Sequence, residues 1–323
     1  MIHGFTLRNG RLVLAELQGE ILPQDLLWID LSEPDKTECR RVEESFHQQM
    51  APEETLEEIE ATTRFRVDSS GLHIHSYFLD DAKLAFTSDE SAELPRLETV
   101  SFTINQGRLF TIHEEELATF RMLRLRARQG LLRYDSAEAI LLGLMETKVD
   151  QLADLIERLY EHLEEASHEV FESSEQEMQA IISSITRLED LNGKIRLSLL
   201  DTQRAMQFLL RHGQPEPEHR NTIKDIQRDV ESLTPHTGYI FEKINFLLDA
   251  ATGIINVEQN RIIKAMTLAS VVFLPPTLIA SIYGMNFEHM PELSWPWGYP
   301  LAVGVMLIST IAPYAFFKWR GWL

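Results

Sequence analysis

Two long uncharged runs, Ala265–Tyr283 and Leu293–Phe317, flank the short segment Tyr283-Gly284-Met285-Asn286. A carboxamide next to a glycine suits a particular chemistry. Its oxygen accepts hydrogen bonds from a hydrated cation but lacks the full charge that would trap the ion. Counting back from Asn286 by helical turns places Ser281, Thr277, Leu274, Ser270, Met266 and Ile263 on one stripe. The outer half of that stripe offers hydroxyls and exposed carbonyls. The inner half, except for Ser270, is apolar. A polar entrance above a hydrophobic constriction admits ions and stops them by dewetting. The same stripe of small residues would also serve a close helix–helix interface. Gly284 lets the backbone leave helical geometry at the corner, and Met285 reads as packing between subunits. Glu288 and Glu292 follow; they either raise the local cation concentration or are merely solvated.

The elements that must hold these residues follow from length. About 20 apolar residues span a bilayer as a helix, so the two runs predict a hairpin of spans at about 263–283 and 297–317. The loop 284–296 then lies on one side, and everything else lies on the other. Arg261 and Lys264 precede the first span, Lys318 and Arg320 follow the second, and the loop has no Lys or Arg. The positive-inside rule therefore puts both termini in the cytoplasm. Trp295, Trp297 and Tyr299 fit an outer aromatic belt, and Trp319 and Trp322 an inner one. Two spans cannot enclose a pore, so conduction would require several copies. Upstream, residues 1–115 read as a mixed α/β domain. Strands are expected at Arg11–Leu17 and Leu26–Leu31, followed by a helix to about Gln48 started by Ser32 with Asp35. A short helix is expected from Pro52. Hairpins are expected at Thr63–Val67 with Leu72–Leu79, and at Leu97–Ile104 with Arg108–Ile112. Residues 116–216 read as long antiparallel helices, Ser136–Glu172 and Glu175–His212, broken at Ser173-Ser174. A stalk helix over 217–283 would continue into the first span. At 1.5 Å per residue it would be roughly 100 Å long, kinked at Pro235.

Several segments together resemble the CorA metal ion transporter family of Gram-negative bacteria. They are Phe273-Leu274-Pro275-Pro276-Thr277, Tyr283-Gly284-Met285-Asn286-Phe287 and Met290-Pro291-Glu292-Leu293. Upstream, Asn256–Lys264, Asp201–Ala205, Gly71–His75 and Gly107–Thr111 match as well, so the likeness covers nearly the whole chain. The resemblance implies an α+β membrane protein that assembles as a homopentamer. Its cytoplasmic α/β domain would stand on a funnel of long helices, with the first span lining the pore. It implies uptake of Mg²⁺, with Co²⁺ and Ni²⁺ as secondary substrates, across the bacterial inner membrane. Gly284, Met285 and Asn286 would form the selectivity filter. Cytoplasmic Mg²⁺ bound between subunits would hold the pore shut, and an ungapped count from Gly-Met-Asn assigns Asp225 to the sensor, with Asp229 one turn on. The partner carboxylate would come from the α/β domain, from Asp80, Asp81 or Asp89. Mg²⁺ is thus both substrate and regulatory ligand, and no organic cofactor is implied. A zinc transporter of the related ZntB branch is one alternative, and a membrane-anchored sensor or scaffold is another.

Composition narrows the rest. A formal charge of −20 argues against nucleic acid, which selects a basic face, and favours cations. The single cysteine, Cys39, allows no disulfide within the chain. No Gly-x-x-x-x-Gly-Lys-Ser/Thr loop occurs, so no ATP site is expected. Asp150–Glu177 holds ten acidic residues and one Arg, either a solvated helix face or a surface that concentrates cations. His73 and His75 alternate on one strand and read as partly buried strand residues, and His113-Glu114-Glu115-Glu116 lacks the second His of a zinc-protease motif. No catalytic constellation is apparent, so no enzyme is expected.

Overall fold

The computed structural model describes the chain except residues 18, 20, 49–63, 81–94, 130–133, 173–174, 287–289 and 322–323. The side chains of Arg128, Glu175, Gln176, Glu292 and Leu293 are also outside the description. The helix expected from Pro52, the Ser173-Ser174 break, Asp81, Asp89, Glu288, Trp322 and the Glu292 side chain therefore lie beyond it. The described residues divide into two compact units, Met1–Leu248 and Asp249–Leu323.

The first unit is built on seven strands. β1 (Ile2–Arg8), β2 (Arg11–Leu14), β3 (Leu26–Ser32), β4 (Phe65–Asp68), β5 (Gly71–Leu79), β6 (Leu97–Asn105) and β7 (Arg108–His113) lie in the order β2-β1-β3-β7-β6-β5-β4. Among the described residues, β3 and β7 are the only strands that pair in parallel. Tight turns set the register. Asn9 and Gly10 have φ of 52° and 71°, and Gln106 and Gly107 have 50° and 75°, so the β1–β2 and β6–β7 loops take the left-handed pair of angles that a two-residue hairpin needs. At Gly71, φ is 128° and a Cβ would stand 2.4 Å from the Ile104 carbonyl oxygen, so only glycine fits.

Helix α1 (Lys36–Phe46) covers one face of the sheet, where Val42 and Phe46 pack with Ile29, Leu31 and Phe110. Its N-cap is Asp35, reciprocated by Glu38, whereas Ser32 is the last residue of β3. The capping box thus begins three residues later than expected, because Ser32 is held in the sheet opposite His113. On the other face, Phe120 of α2 (Ala118–Arg128) meets Trp28, Phe78 and Phe102 in an aromatic cluster with centroid distances of 6.4, 5.7 and 6.2 Å. The long helices α3 (Ala137–Glu172) and α4 (Glu175–His212) lie on that same side.

Two buried polar knots tie helices to strands. Asp30, fully buried, accepts from Thr111 Oγ1 at 2.7 Å and Arg124 Nη1 at 2.6 Å, and lies 3.2 Å from His113 Nε2. Burial alone would raise the Asp30 carboxyl, but the His113 hydrogen bond and the charges of His113 and Arg124 hold it below its usual value. Burial pulls His113 down, but Asp30 outweighs it and the imidazole is raised. In the second knot, Asp201 of α4 accepts from Ser76 Oγ at 2.6 Å and from the Tyr77 amide at 2.9 Å, with Arg64 at 3.3 Å and Lys148 at 3.8 Å. Burial lowers the Lys148 ammonium to about 8, despite Asp201.

Helix α5 (Pro217–Tyr283) is continuous through Pro235, Pro275 and Pro276. Near Pro235, Thr234 Oγ1 donates to the Val230 carbonyl at 2.7 Å, and Asn192 of α4 donates to the Thr237 carbonyl at 3.0 Å. In the second unit, a 3₁₀ turn (Pro291–Ser294) leads to α6 (Gly298–Trp319). The most apolar 18-residue windows of α5 and α6 each have a mean hydropathy of 1.8, and only 0% and 6% of them are buried. Phe273, Leu274, Leu278 and Ile308 are 68%, 65%, 62% and 67% exposed. Leaving each such side chain in water forgoes about 1.5–3 kcal/mol. Helices of this kind call for lipid or other copies of the chain around them, which separates them from the buried core helices of a soluble protein.

Candidate ion pathway and cation-sensing acids

The corner is shaped by the end of α5. The Gly284 amide donates to the Ala280 carbonyl at 2.9 Å and the Met285 amide to the Ile282 carbonyl at 3.2 Å, after which the helix stops. A Cβ on Gly284 would press within 3.2 Å of the Ala280 oxygen, so the absent side chain keeps that last turn closed. Met285 is 47% exposed. Asn286 is exposed, and no hydrogen bond engages its carboxamide among the described residues.

Behind the corner, Ile263, Met266, Ser270, Leu274, Thr277 and Ser281 are all exposed along α5. The stripe shows a detail that residue types alone do not. Ser270 Oγ donates to the Met266 carbonyl at 2.9 Å and Thr277 Oγ1 to the Phe273 carbonyl at 2.7 Å. Each hydroxyl thus spends its proton on the preceding turn of its own helix. What it presents outward is oxygen lone pairs, the group that a cation or its water shell can use.

In the first unit, Asp225 and Asp229 stand on α5. Asp225 pairs with Arg228 at 3.0 Å, with side chains 62% and 76% exposed. Exposed pairs of this kind contribute only about 0–1 kcal/mol, so the carboxylate is easily drawn away. Glu146 of α3 lies close to both: burial raises its carboxyl first, and Asp150, Asp225 and Asp229 then push it further. Sequence reasoning named the α5 pair and the acidic α3 stretch separately. It missed that Glu146 comes near Asp225 and Asp229, because spacing along one chain does not report which helix faces meet. Asp80 lies at the end of β5 in a cleft of about 400 Å³ with Arg96, Glu98, Glu114 and Glu115. Burial raises Asp80 and the charge of Glu115 adds to it, whereas the hydrogen bond from the Arg96 amide and the charges of Lys194 and Arg96 oppose it. Among the described residues no three His, Cys, Asp or Glu side chains of one chain come together to hold a metal ion.

The two strand histidines are more buried than expected, at 0% exposure each. His73 Nδ1 is 3.0 Å from Thr103 Oγ1, and its Nε2 contacts Ser70 and Asp68. Among the described residues neither ring nitrogen of His75 has a hydrogen-bond partner, and burial lowers it to about 4. They are core residues rather than ligands.

The CorA family, described as CorA-like Mg²⁺ transporter protein, matches residues 23–319. The chain belongs to the CorA family. It is 46% identical to the magnesium transport protein CorA of Escherichia coli (strain K12) over 325 residues, covering 100% of both chains. It is 45% identical to that of Haemophilus ducreyi over 327 residues, again covering 100% of both. Among solved structures, the complete CorA magnesium transporter from Methanocaldococcus jannaschii superposes with a TM-score of 0.73 at 18% identity, covering 100% of this chain and 99% of that one. The ZntB cytoplasmic domain from Vibrio parahaemolyticus gives 0.54 at 10%, covering 79% of this chain and 97% of that one. At such identities the structures speak for the fold alone: a soluble N-terminal α/β domain, a long helix and two C-terminal apolar helices. CorA is a family of transporters and not of enzymes.

Proposed function

We propose that this CorA chain is one protomer of a homopentameric channel that carries Mg²⁺ into the bacterial cytoplasm, with Co²⁺ and Ni²⁺ as secondary substrates. The observation that carries the reading is the exposed Asn286 carboxamide, without a hydrogen bond among the described residues, at the exit of the uncharged stretch that ends α5, whose most apolar window is 0% buried. The full-length likeness to magnesium transport proteins supports Mg²⁺ over Zn²⁺ as the ion. Mg²⁺ sheds its waters reluctantly. A ring of Asn286 oxygens would accept hydrogen bonds from those waters, where a ring of carboxylates would bind the ion and slow its release. Below the ring, Thr277 and Ser270 continue the row of acceptors, and Leu274, Met266 and Ile263 interrupt it with apolar constrictions that close by dewetting. Membrane voltage drives the flow. At about 2.3 kcal/mol per charge per 100 mV, a divalent ion gains roughly 4–5 kcal/mol on entering a negative-inside cell.

The brake in this reading is cytoplasmic Mg²⁺ held by Asp225 and Asp229 against a carboxylate of a neighbouring protomer, with the loop 284–296 outside and both termini inside. Asp225 supports this through its weak surface pair, which a divalent ion would displace. The test is Mg²⁺ influx into proteoliposomes under imposed voltage, with Mg²⁺ varied on the face carrying the soluble domain. Influx that follows voltage and falls as that Mg²⁺ rises is expected. Zn²⁺ flux without Mg²⁺ flux would move the protein to the zinc branch, and no flux of either would leave a sensor or scaffold.

A further inference from the structure

Within the second unit lies a groove of about 550 Å³. One wall is the stretch of α5 that carries Arg261, Lys264, Ala265, Thr267 and Leu268; the other is Phe317 of α6, one residue before Lys318. Leu268 and Phe317, at its apolar side, are half-buried, whereas Arg261 and Lys264 are exposed. The groove therefore has an apolar slot with cations beside it. It sits where the uncharged part of both helices ends and the basic residues begin. The ion pair that Arg261 makes is loose: its guanidinium stands 3.6 Å from Glu258 and its side chain is 80% exposed. Such a contact leaves the guanidinium able to turn to a better partner.

We propose that this groove binds a phospholipid with an anionic headgroup. An acyl chain would lie along Leu268 and Phe317, and the phosphate would meet Arg261 and Lys264. Guanidinium is well matched to phosphate because it donates two parallel hydrogen bonds. Basic pockets between membrane helices favour acidic headgroups for this reason. Charge complementarity decides between lipid and a second copy of the chain as occupant. The spans of another copy, Ala265–Tyr283 and Leu293–Phe317, carry no charge with which to answer Arg261 and Lys264. The site also avoids the proposed ion path. At about 100° per residue, Arg261, Lys264, Ala265 and Leu268 centre on the side of α5 opposite Met266 and Ser270. Ile263, on the Met266 and Ser270 side, belongs to both, and Thr267 lies on the flank between them. The inference therefore stands whichever ion passes.

Native mass spectrometry of the detergent-solubilised full-length assembly tests it, with phosphatidylglycerol and phosphatidylcholine of identical acyl chains as probes. Retention of phosphatidylglycerol roughly 25-fold above phosphatidylcholine is expected, since each of the two cations contributes about a fivefold preference near an acidic headgroup. Arg261→Gln with Lys264→Gln should erase the preference, and Arg261→Lys with Lys264→Arg should keep it. Equal retention of the two lipids by the wild-type protein would overturn the proposal, as would an undiminished preference in the neutral variant. A photoactivatable residue at position 268 provides a check that does not depend on the neutral variant assembling. A phosphatidylglycerol adduct supports the site, and capture of another protomer alone rejects it.

Discussion

At the scale of the residue, function and stability rest on different oxygens. Asn286 offers an uncharged acceptor at the corner, and the ion reading depends on it. Asn286→Ala should reduce Mg²⁺ influx in proteoliposomes to background while the assembly keeps its size on gel filtration; wild-type flux from an intact assembly would remove the filter from this position. Asp30 illustrates the other role. Its carboxylate holds Arg124 and His113 inside the α/β domain, and removing one partner of a buried ion pair costs about 3–5 kcal/mol. Asp30→Asn should lower stability by that order in denaturant titrations. The pH dependence has a definite sign. The lowered Asp30 contributes stability that is present at neutral pH and is lost on acidification through its folded value. The raised His113 contributes below the unfolded value of 6.5 and is lost as pH rises through its folded value. Wild-type denaturation midpoints should therefore decline as pH rises above about 6.5, and the Asn variant should lose most of that slope.

At the scale of the element, the proposed pore stripe works only as a helix. Ser270 and Thr277 point their protons into the backbone because the carbonyl four residues back is within reach, and that leaves acceptors outside. The apolar members should act as the barrier. Met266→Asn would hydrate the constriction, and Mg²⁺ leak at high internal Mg²⁺ should rise severalfold, measured with a trapped indicator dye; unchanged leak would move the barrier elsewhere along the helix. Much of this was legible in the sequence. Uncharged runs, proline and glycine breaks and a 3.6-residue period mark the long helices to within a residue or two, because exposed apolar helices leave so clear a pattern. The α/β domain was less legible. Strand β1 was not anticipated, although Asn9-Gly10 is the local signal of the hairpin it forms with β2. Expected strand Arg11–Leu17 stops at Leu14, the last residue to pair with β1. Helix α2 lay unmarked in a region read only as helical from residue 116. The candidate ion path was read from a local motif. Glu146 near Asp225 was not, since it comes from a helix some 80 residues earlier in the chain.

For the whole molecule, the first unit carries the carboxylates and the second the spans, and α5 contributes residues to both. In the proposed brake, Mg²⁺ at Asp225 and Asp229 relieves the repulsion between them and Glu146, so ion binding and closure reinforce each other. Asp225→Ala should shift inhibition of influx to higher internal Mg²⁺ without changing the maximal rate, and Asp225→Ala with Asp229→Ala should shift it further; an inhibition curve that does not move would place the sensor elsewhere.

The order of the two units along the polypeptide also bears on how such a protein is made. All 248 residues of the first unit leave the ribosome before either span. At about 5–20 residues per second, that is roughly ten to fifty seconds of synthesis. A folded domain with its sheet already closed must then be held near the bilayer while two apolar helices emerge. Both apolar helices follow the first unit in the chain, so their exposure to water begins when Ala265 appears.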